Sequence, residues 1–128
     1  MSLVETGAML HDIGRGVTHG VEHGAVGGQM VRRLGLPMEV AFIVERHVGA
    51  GLTEDEARRS GLPPGRYVPE SIEEKIVCYA DKLIEGDHEV PIESTIEALV
   101  EELGADHLGV ARMRALRNEI EAVVGPSF

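Results

Sequence analysis

The spacing of aliphatic residues constrains the fold of this chain more than any other feature of its sequence. These residues recur at intervals of three and four along most of the chain, and no convincing run of strict alternation interrupts them. Such spacing is typical of amphipathic helices and not of strands. Two Phe, two Tyr and no Trp among 128 residues leave the core to aliphatic side chains. We therefore predict an all-α fold.

Glycine, proline and capping residues divide the periodic stretches into a bundle of about six to seven helices. A length of 128 residues corresponds to one domain, spanning residues 1–128. The expected helices cover about residues 3–12, 23–34, a stretch from Pro37 to near Gly49, 53–60, 70–85, 92–103 and 106–124. Residues 61–69 contain three prolines and two glycines and are expected to form a loop.

Three glycines inside the second predicted helix point to a close neighbour. Gly24, Gly27 and Gly28 each cost about 1 kcal/mol relative to alanine in a helix interior. Close packing of another backbone against this helix would offset that cost. The sequence therefore predicts a tight helix–helix contact here.

Charge and cysteine content disfavour several classes of protein. The net charge of −10, from 12 basic and 22 acidic residues, repels phosphates and makes nucleic acid an unfavoured partner. A local cation or metal can override this mean field. Cys78 is the single cysteine, so no intramolecular disulfide and no cysteine-based zinc site can form. No stretch resembles a membrane span or a signal segment, so we expect a cytoplasmic protein without membrane contact.

A metal-binding corner is indicated by consecutive His11 and Asp12, which follow an apolar run and precede Ile13 and Gly14. At the end of a helix, both side chains can reach one ion placed off that end. Imidazole and carboxylate together suit a divalent cation that supports hydrolysis. The alternative is a core histidine hydrogen-bonded to its neighbouring aspartate.

Three further residues are candidate partners for this pair. Asp81 lies in an apolar helix, where an unpaired buried carboxylate would cost several kcal/mol and so requires a cation, a hydrogen-bond cluster or a metal. The alternative is a salt bridge to a buried arginine or a position at a surface boundary. His47 lies on an apolar stripe, and the alternative is a core histidine whose ring nitrogens are hydrogen-bonded within the protein. His23 is the first residue of the second helix, and the alternative to metal binding is a position on the surface.

In this order the residues resemble the HD-domain metal-dependent phosphohydrolases, in their HDIG-type subgroup. The family has a His on one helix, a His-Asp pair on the next and an Asp on a later helix. His11, Asp12 and Asp81 match the second, third and fourth of these positions, and His23 and His47 match two further histidines of the dinuclear branch. The resemblance covers residues 3–84. It implies an HD-domain-like bundle with a metal-site part at about 3–85 and C-terminal helices at about 91–124.

Two positions depart from the family pattern: no His precedes His11 in this sequence, and Arg15 stands where many relatives have Lys. For the first of these, the resemblance implies that the chain lacks the family's first helix and one metal ligand. It also implies an exposed apolar surface where that helix would pack, through which the chain would self-associate.

The activity implied by the resemblance is hydrolysis of a phosphate monoester or diester by a metal-activated water. The expected substrate is a nucleotide or another small phosphorylated molecule. One or two divalent ions, chosen among Mn, Fe, Co, Ni, Zn and Mg, would be held by His11, Asp12, Asp81, His23 and His47. A catalytically inactive nucleotide-binding or regulatory module remains an alternative, as does a purely structural helical domain.

Arg15 completes the expected catalytic set of His11, Asp12 and Arg15. Its guanidinium would contact a phosphate beside the metal, and its alternative is a solvent-exposed position after a helix end. His19 and Arg66 are further candidates for substrate binding, in the loops that follow the first and fourth helices. A solvated loop histidine is the alternative for His19.

Overall fold

The computed structural model describes residues 2–125, and its elements are almost all helical. The α-helices are α1 (Leu3–Leu10), α2 (His23–Arg33), α3 (Met38–Glu45), α4 (Glu54–Arg59), α5 (Ile72–Asp81), α6 (Ile92–Leu103) and α7 (Leu108–Val124). A 3₁₀ turn (Ile13–Gly16) follows α1, and two short strands, β1 (Ile84–Glu85) and β2 (His88–Glu89), follow α5. The predicted all-α fold with six to seven helices is thus confirmed. No helix among the described residues is long and apolar enough to cross a membrane.

Two helix starts are set by reciprocal side-chain caps. Ser2 Oγ accepts the Glu5 backbone N–H at 3.1 Å, and the Glu5 carboxylate accepts the Ser2 backbone N–H at 3.1 Å. Thr53 and Glu56 make the same exchange at 3.2 and 2.9 Å. Each exchange satisfies two donors that a helix start leaves without partners.

Two predicted helix ends are wrong. The fifth helix ends at Asp81, and the chain then forms an antiparallel hairpin that pairs Ile84 with Glu89. Gly86 has φ +64° in this hairpin, a left-handed conformation that supports the tight turn. The third helix ends at Glu45, so His47 lies beyond it. The loop expected after the first helix also begins with the 3₁₀ turn Ile13–Gly16.

The glycines of α2 lie where α3 approaches most closely, as predicted. A methyl group at Gly27 would lie 2.7 Å from Val44 Cγ1, and one at Gly24 would lie 2.9 Å from Val48 Cγ2. Such distances are too short for a real side chain, so glycine lets α3 and the residues just after it pack directly on the α2 backbone. This contact brings the start of α2, and with it His23, against the end of α3.

Helix α5 joins the two halves of the structure. On one side it packs against α1 and α3, and on the other against α7. One apolar cluster links α1, α2 and α3 around Val31, Val40 and Val44, and another links α5, α6 and α7 around Cys78, Ile96 and Met113. The last residue of α5 is therefore held beside the end of α1. That residues 1–128 form one domain stays a prediction.

Candidate metal centre

Five residues from four helix ends form one cluster. His11 directly follows α1, and Asp12 precedes the 3₁₀ turn. His23 is the first residue of α2, His47 lies two residues beyond α3, and Asp81 is the last residue of α5. All five were singled out from the sequence, and the fold brings all five together.

His11 connects two carboxylates of the cluster. Its Nε2 lies 3.1 Å from Asp81 Oδ1 and 3.2 Å from Asp12 Oδ2. The His11 ring also meets the His47 ring edge to face, with centroids 4.9 Å apart. His11, His47 and Asp81 each offer one ligand atom within 4.8 Å of the other two, which is close enough to hold one ion.

A second such group shares His47 with the first. Asp12 Oδ1 lies 3.4 Å from His23 Nε2 and 3.3 Å from His47 Nε2. The two imidazole Nε2 atoms are 2.9 Å apart. Asp12, His23 and His47 again offer ligand atoms within 4.8 Å of one another. His23 and His47 are buried, whereas the Asp12 side chain is 44% exposed.

Each histidine is oriented in the same way, by a hydrogen bond to the carbonyl three residues earlier. A carbonyl oxygen only accepts, so Nδ1 carries a proton in all three rings. The acceptors are Ala8 O at 2.6 Å from His11, Gly20 O at 2.9 Å from His23 and Val44 O at 2.6 Å from His47. When the ring is neutral, Nε2 then presents its lone pair to the centre of the cluster.

This donor set fits a divalent cation. With both Nδ1 atoms protonated, the Nε2 lone pairs of His23 and His47 face each other at 2.9 Å. Two facing lone pairs repel unless a proton or a metal ion lies near them. Three imidazole nitrogens and two carboxylates form the mixed set that transition metals prefer.

The carboxylates of the cluster are ionised at neutral pH. A hydrogen bond with His47 lowers the pKa of Asp12 to about 2, against the opposing effect of burial. Burial would raise the pKa of Asp81, but the bond from His11 and the nearby Lys82 ammonium hold it well below its ordinary value. Both groups are therefore anionic and ready to bind a cation.

The pKa values of two histidines shift in opposite directions. The hydrogen bond to Asp81 raises the pKa of His11, although burial opposes this. Burial lowers the pKa of His23. His23 is therefore neutral at pH 7, the state in which it can bind a metal.

A cavity of about 550 Å³ opens beside the cluster, between α1 and α5. Its polar end is formed by His11, Asp12, Arg15 and Asp81, and its walls are largely aliphatic. Arg15 Nε lies 3.2 Å from Asp12 Oδ1, and its side chain is 46% exposed. These aliphatic walls lie beside the predicted metal ligands. Self-association of the chain through this apolar surface stays a prediction.

The structure does not bring the two remaining substrate candidates to this cavity. His19 is exposed and is absent from the cavity lining. Arg66 pairs with Glu70 at 3.2 Å and lines a different cavity, between α2, α3 and the loop at 63–67. A role for either residue in substrate binding stays a prediction.

Lys82 is a further residue of the site that was not predicted from the sequence, and its side chain is only 11% exposed. Its ammonium bonds to the Asp81 carboxylate at 2.9 Å and to the His47 carbonyl at 2.8 Å. A charged residue directly after Asp81, within an otherwise apolar stretch, was the available signal. The cation that pairs with Asp81 is therefore the lysine directly after it, whereas the alternative considered from the sequence was a salt bridge to a buried arginine.

Comparison with known proteins agrees with this geometry. The model of the HD domain family matches residues 1–86, which include all five clustered residues. An uncharacterized protein of Methanocaldococcus jannaschii is 48% identical over 120 residues, covering 94% of this chain and 71% of that protein.

Two further relatives are larger proteins. A tRNA (cytidine(56)-2'-O)-methyltransferase of Thermoplasma volcanium is 46% identical over 97 residues, which are 76% of this chain and 29% of the enzyme. A Ribonuclease Y of Salinispora tropica is 30% identical over 131 residues, which are 93% of this chain and 19% of that protein. The chain thus spans less than a third of either. No solved structure matches the chain. Together with the cluster at the ends of α1, α2, α3 and α5, the match over residues 1–86 means that this chain belongs to the HD domain family.

Proposed function

We propose that this chain is a metal-dependent phosphohydrolase that acts on a nucleotide or another small phosphate ester. The observation that carries the proposal is the convergence of three imidazole Nε2 atoms and two ionised carboxylates beside an open cavity. Membership of the HD domain family supports metal-dependent hydrolysis as the class of activity. The identity and number of the ions are part of what the experiment must decide.

His11, Asp12, His23, His47 and Asp81 would hold the ion or ions. A divalent ion bound there supplies Lewis-acid activation of a water molecule and neutralises negative charge on phosphoryl oxygens. The three backbone carbonyls fix the imidazoles before any ligand arrives, so no side-chain reorganisation is needed. The carboxylates of Asp12 and Asp81 are the available proton acceptors.

Arg15 would bind a phosphoryl oxygen of the substrate. It stands at the polar end of the cavity, next to Asp12, and its half-exposed guanidinium can turn toward a ligand. The cavity of about 550 Å³ lies within the range of small-molecule sites, roughly 300–1,000 Å³. A mononucleotide or a small phosphate ester fits that size.

RNA is a second candidate substrate, favoured by the names of the relatives. Ribonuclease Y and a tRNA methyltransferase both share sequence with this chain. A net charge of −10 disfavours binding of nucleic acid through many phosphate contacts. RNA would therefore be bound at the metal centre by one or two phosphates. The sequence predicts that nucleic acid is an unfavoured partner. The names of these relatives argue against that prediction.

Metal content is the first test of the proposal. We expect the purified protein, after incubation with Mn²⁺, Co²⁺ or Zn²⁺ and desalting, to retain one or two ions per chain. Asp81→Ala should lose at least one of them, because Asp81 Oδ1 lies in the cluster. Asp87→Ala is the matched control, since Asp87 is 92% exposed and pairs only with His88 among the described residues. A wild-type protein that retains no ion after reconstitution would contradict the proposal.

Substrate class is tested next, with the metal-loaded protein. A panel of nucleoside monophosphates, cyclic dinucleotides, a simple aryl phosphate and a short RNA separates the candidates by phosphate release or cleavage. Hydrolysis lost in Asp81→Ala and retained in Asp87→Ala supports the enzyme. Nucleotide binding without turnover would instead support the regulatory module.

A further inference from the structure

The Lys82 ammonium makes three hydrogen bonds at the point where α5 ends. Its Nζ lies 2.8 Å from His47 O, 2.9 Å from Asp81 Oδ2 and 3.2 Å from Cys78 O. An ammonium group has three N–H donors, so these three acceptors saturate it. A cation at the C-terminal end of a helix is also favoured by the helix dipole.

Two of the three acceptors belong to candidate metal ligands. Lys82 takes one oxygen of Asp81, and the other, Oδ1, remains directed at His11 Nε2, 3.1 Å away. The same ammonium holds the backbone of His47, whose ring belongs to both groups of ligand atoms. Lys82 thus connects two residues that are 34 positions apart in the sequence.

The position of Lys82 is itself fixed from two sides. Thr95 Oγ1, on α6, donates to Lys82 O at 2.6 Å. The Cys78 thiol lies 3.6 Å from His47 O and 3.2 Å from Gly49 O, so the turn after α3 is tied to α5 at a second point. Helical neighbours at i and i+1 do not normally face each other. Lys82 nevertheless reaches the Asp81 carboxylate from the C-cap position of α5.

We propose that Lys82 is a positioning residue of the metal centre, which sets the orientation of the Asp81 carboxylate and the location of the His47 ring. This inference rests on the proposed function. Without the ammonium, the Asp81 side chain would lose the bond that fixes its Oδ2, and the turn that carries His47 would lose one of its links to α5. Loss of a group that orients a metal ligand costs about 10- to 100-fold in metal affinity.

The test compares three variants by Co²⁺ binding. We expect Lys82→Met, which keeps an unbranched stem but no donor, to weaken Co²⁺ affinity by about 10- to 100-fold and to change the visible absorption of the bound ion. Lys82→Arg, which keeps the charge, should recover part of the affinity. Lys75→Met is the matched control on the same helix, because Lys75 pairs with Glu119 at 2.8 Å, away from the cluster.

The cobalt spectrum separates positioning from a merely structural role. A change in fold stability alone lowers the folded fraction, but it does not alter the spectrum of the ion that folded protein binds. If Lys82→Met does not fold, Lys82→Gln, which is uncharged but keeps two donors, takes its place. Wild-type affinity and an unchanged spectrum in the Lys82 variants would overturn the inference. Absence of Co²⁺ binding in the wild-type protein would instead overturn the proposed function, and this inference with it.

Discussion

The Nε2 atoms of His23 and His47 lie 2.9 Å apart, while each ring donates a hydrogen bond from Nδ1–H to the carbonyl oxygen three residues before it. Both rings are therefore held with their Nε2 atoms directed at each other and at Asp12 Oδ1. His11 stands on the other side of His47, where its Nε2 faces Asp81. The cluster thus has a buried side, with His23, and a more open side, with His11.

The two sides should lose metal at different pH values. The hydrogen bond to Asp81 raises the pKa of His11 above its ordinary 6.5, so protons compete with a metal for His11 already above that pH. Burial lowers the pKa of His23 below 6.5, so competition there begins only at lower pH. As the pH falls from 8 toward 6, the group with His11 should lose its ion first. Metal titrations at several pH values would show this as a loss of one ion before the other.

His11→Gln provides the check on that assignment. It should remove the pH dependence of metal binding above pH 6.5, whereas the exposed His88→Gln should leave it unchanged. A pH dependence that survives in His11→Gln would show that another group is responsible.

Gly14→Ala should destabilise the fold strongly. Gly14 does not have a positive φ, so the obstacle is space and not conformation. A methyl group there would overlap the carbonyl oxygen of His23 and lie 2.8 Å from the Gly27 nitrogen. Because both atoms are backbone, α2 would have to move, at a cost of about 3 kcal/mol in the free energy of unfolding. Urea denaturation measures that cost.

Gly16→Ala is the matched control, two residues further along the same 3₁₀ turn. Among the described residues other than its chain neighbours, no atom lies within 4 Å of a methyl group at this position. We expect an effect between neutral and about 1 kcal/mol of stabilisation, because alanine restricts the unfolded chain. Equal losses in the two variants would mean that contact with α2 is not what requires glycine.

Glu74→Gln should lower stability and flatten its dependence on acid pH. Glu74 and Arg46 are both buried and are joined by a 2.8 Å bond. Burial would raise the pKa of Glu74, but bonds from Arg46, the Glu70 backbone N–H and Ser71 hold it below the ordinary 4.5. The stability that this carboxylate contributes is therefore complete above pH 4.5 and is lost as pH falls through the lowered pKa.

The variant removes one partner of a buried ion pair, which costs about 3 kcal/mol at pH 7. Urea denaturation between pH 3 and 7 should show a smaller acid-dependent loss in Glu74→Gln than in the wild-type protein. Glu97→Gln, at an exposed position on α6, should behave as the wild type. A Glu74→Gln profile parallel to the wild-type profile would contradict the argument.

Metal should stabilise the fold through the same cluster. An ion that binds only the folded chain adds about 2.7 kcal/mol to the free energy of unfolding when its free concentration is 100 times the Kd. Thermal unfolding with Zn²⁺ and with a chelator would measure the difference as a shift in Tm. Asp81→Ala should show a much smaller shift, since it lacks Oδ1 near His11. An equal shift in both proteins would place the stabilising ion elsewhere.

Helical segments and candidate ligands could be predicted from sequence because their signals are local. The span 92–103 was predicted residue for residue, since Pro91 precedes it, Gly104 follows it and its apolar stripe is unbroken. The capping exchange of Thr53 with Glu56 depends only on residues three apart. The end of α5 was predicted four residues too late, because the apolar pattern continues through Leu83 and Ile84 into the hairpin.

The sequence by itself determined the helical class and the presence of His11, Asp12, His23, His47 and Asp81, because residue type and spacing are read along the chain. Only the tertiary structure decided which of their atoms meet. The packing of α2 on α3 and of α5 on α1 brings the three Nε2 atoms into two groups of ligand atoms that share His47, and it leaves His19 and Arg66 off the adjacent cavity. It also decided that Lys82 bonds to the carbonyl of His47. Contacts between distant segments follow from how helix faces fit together, and no local pattern of residues contains that information.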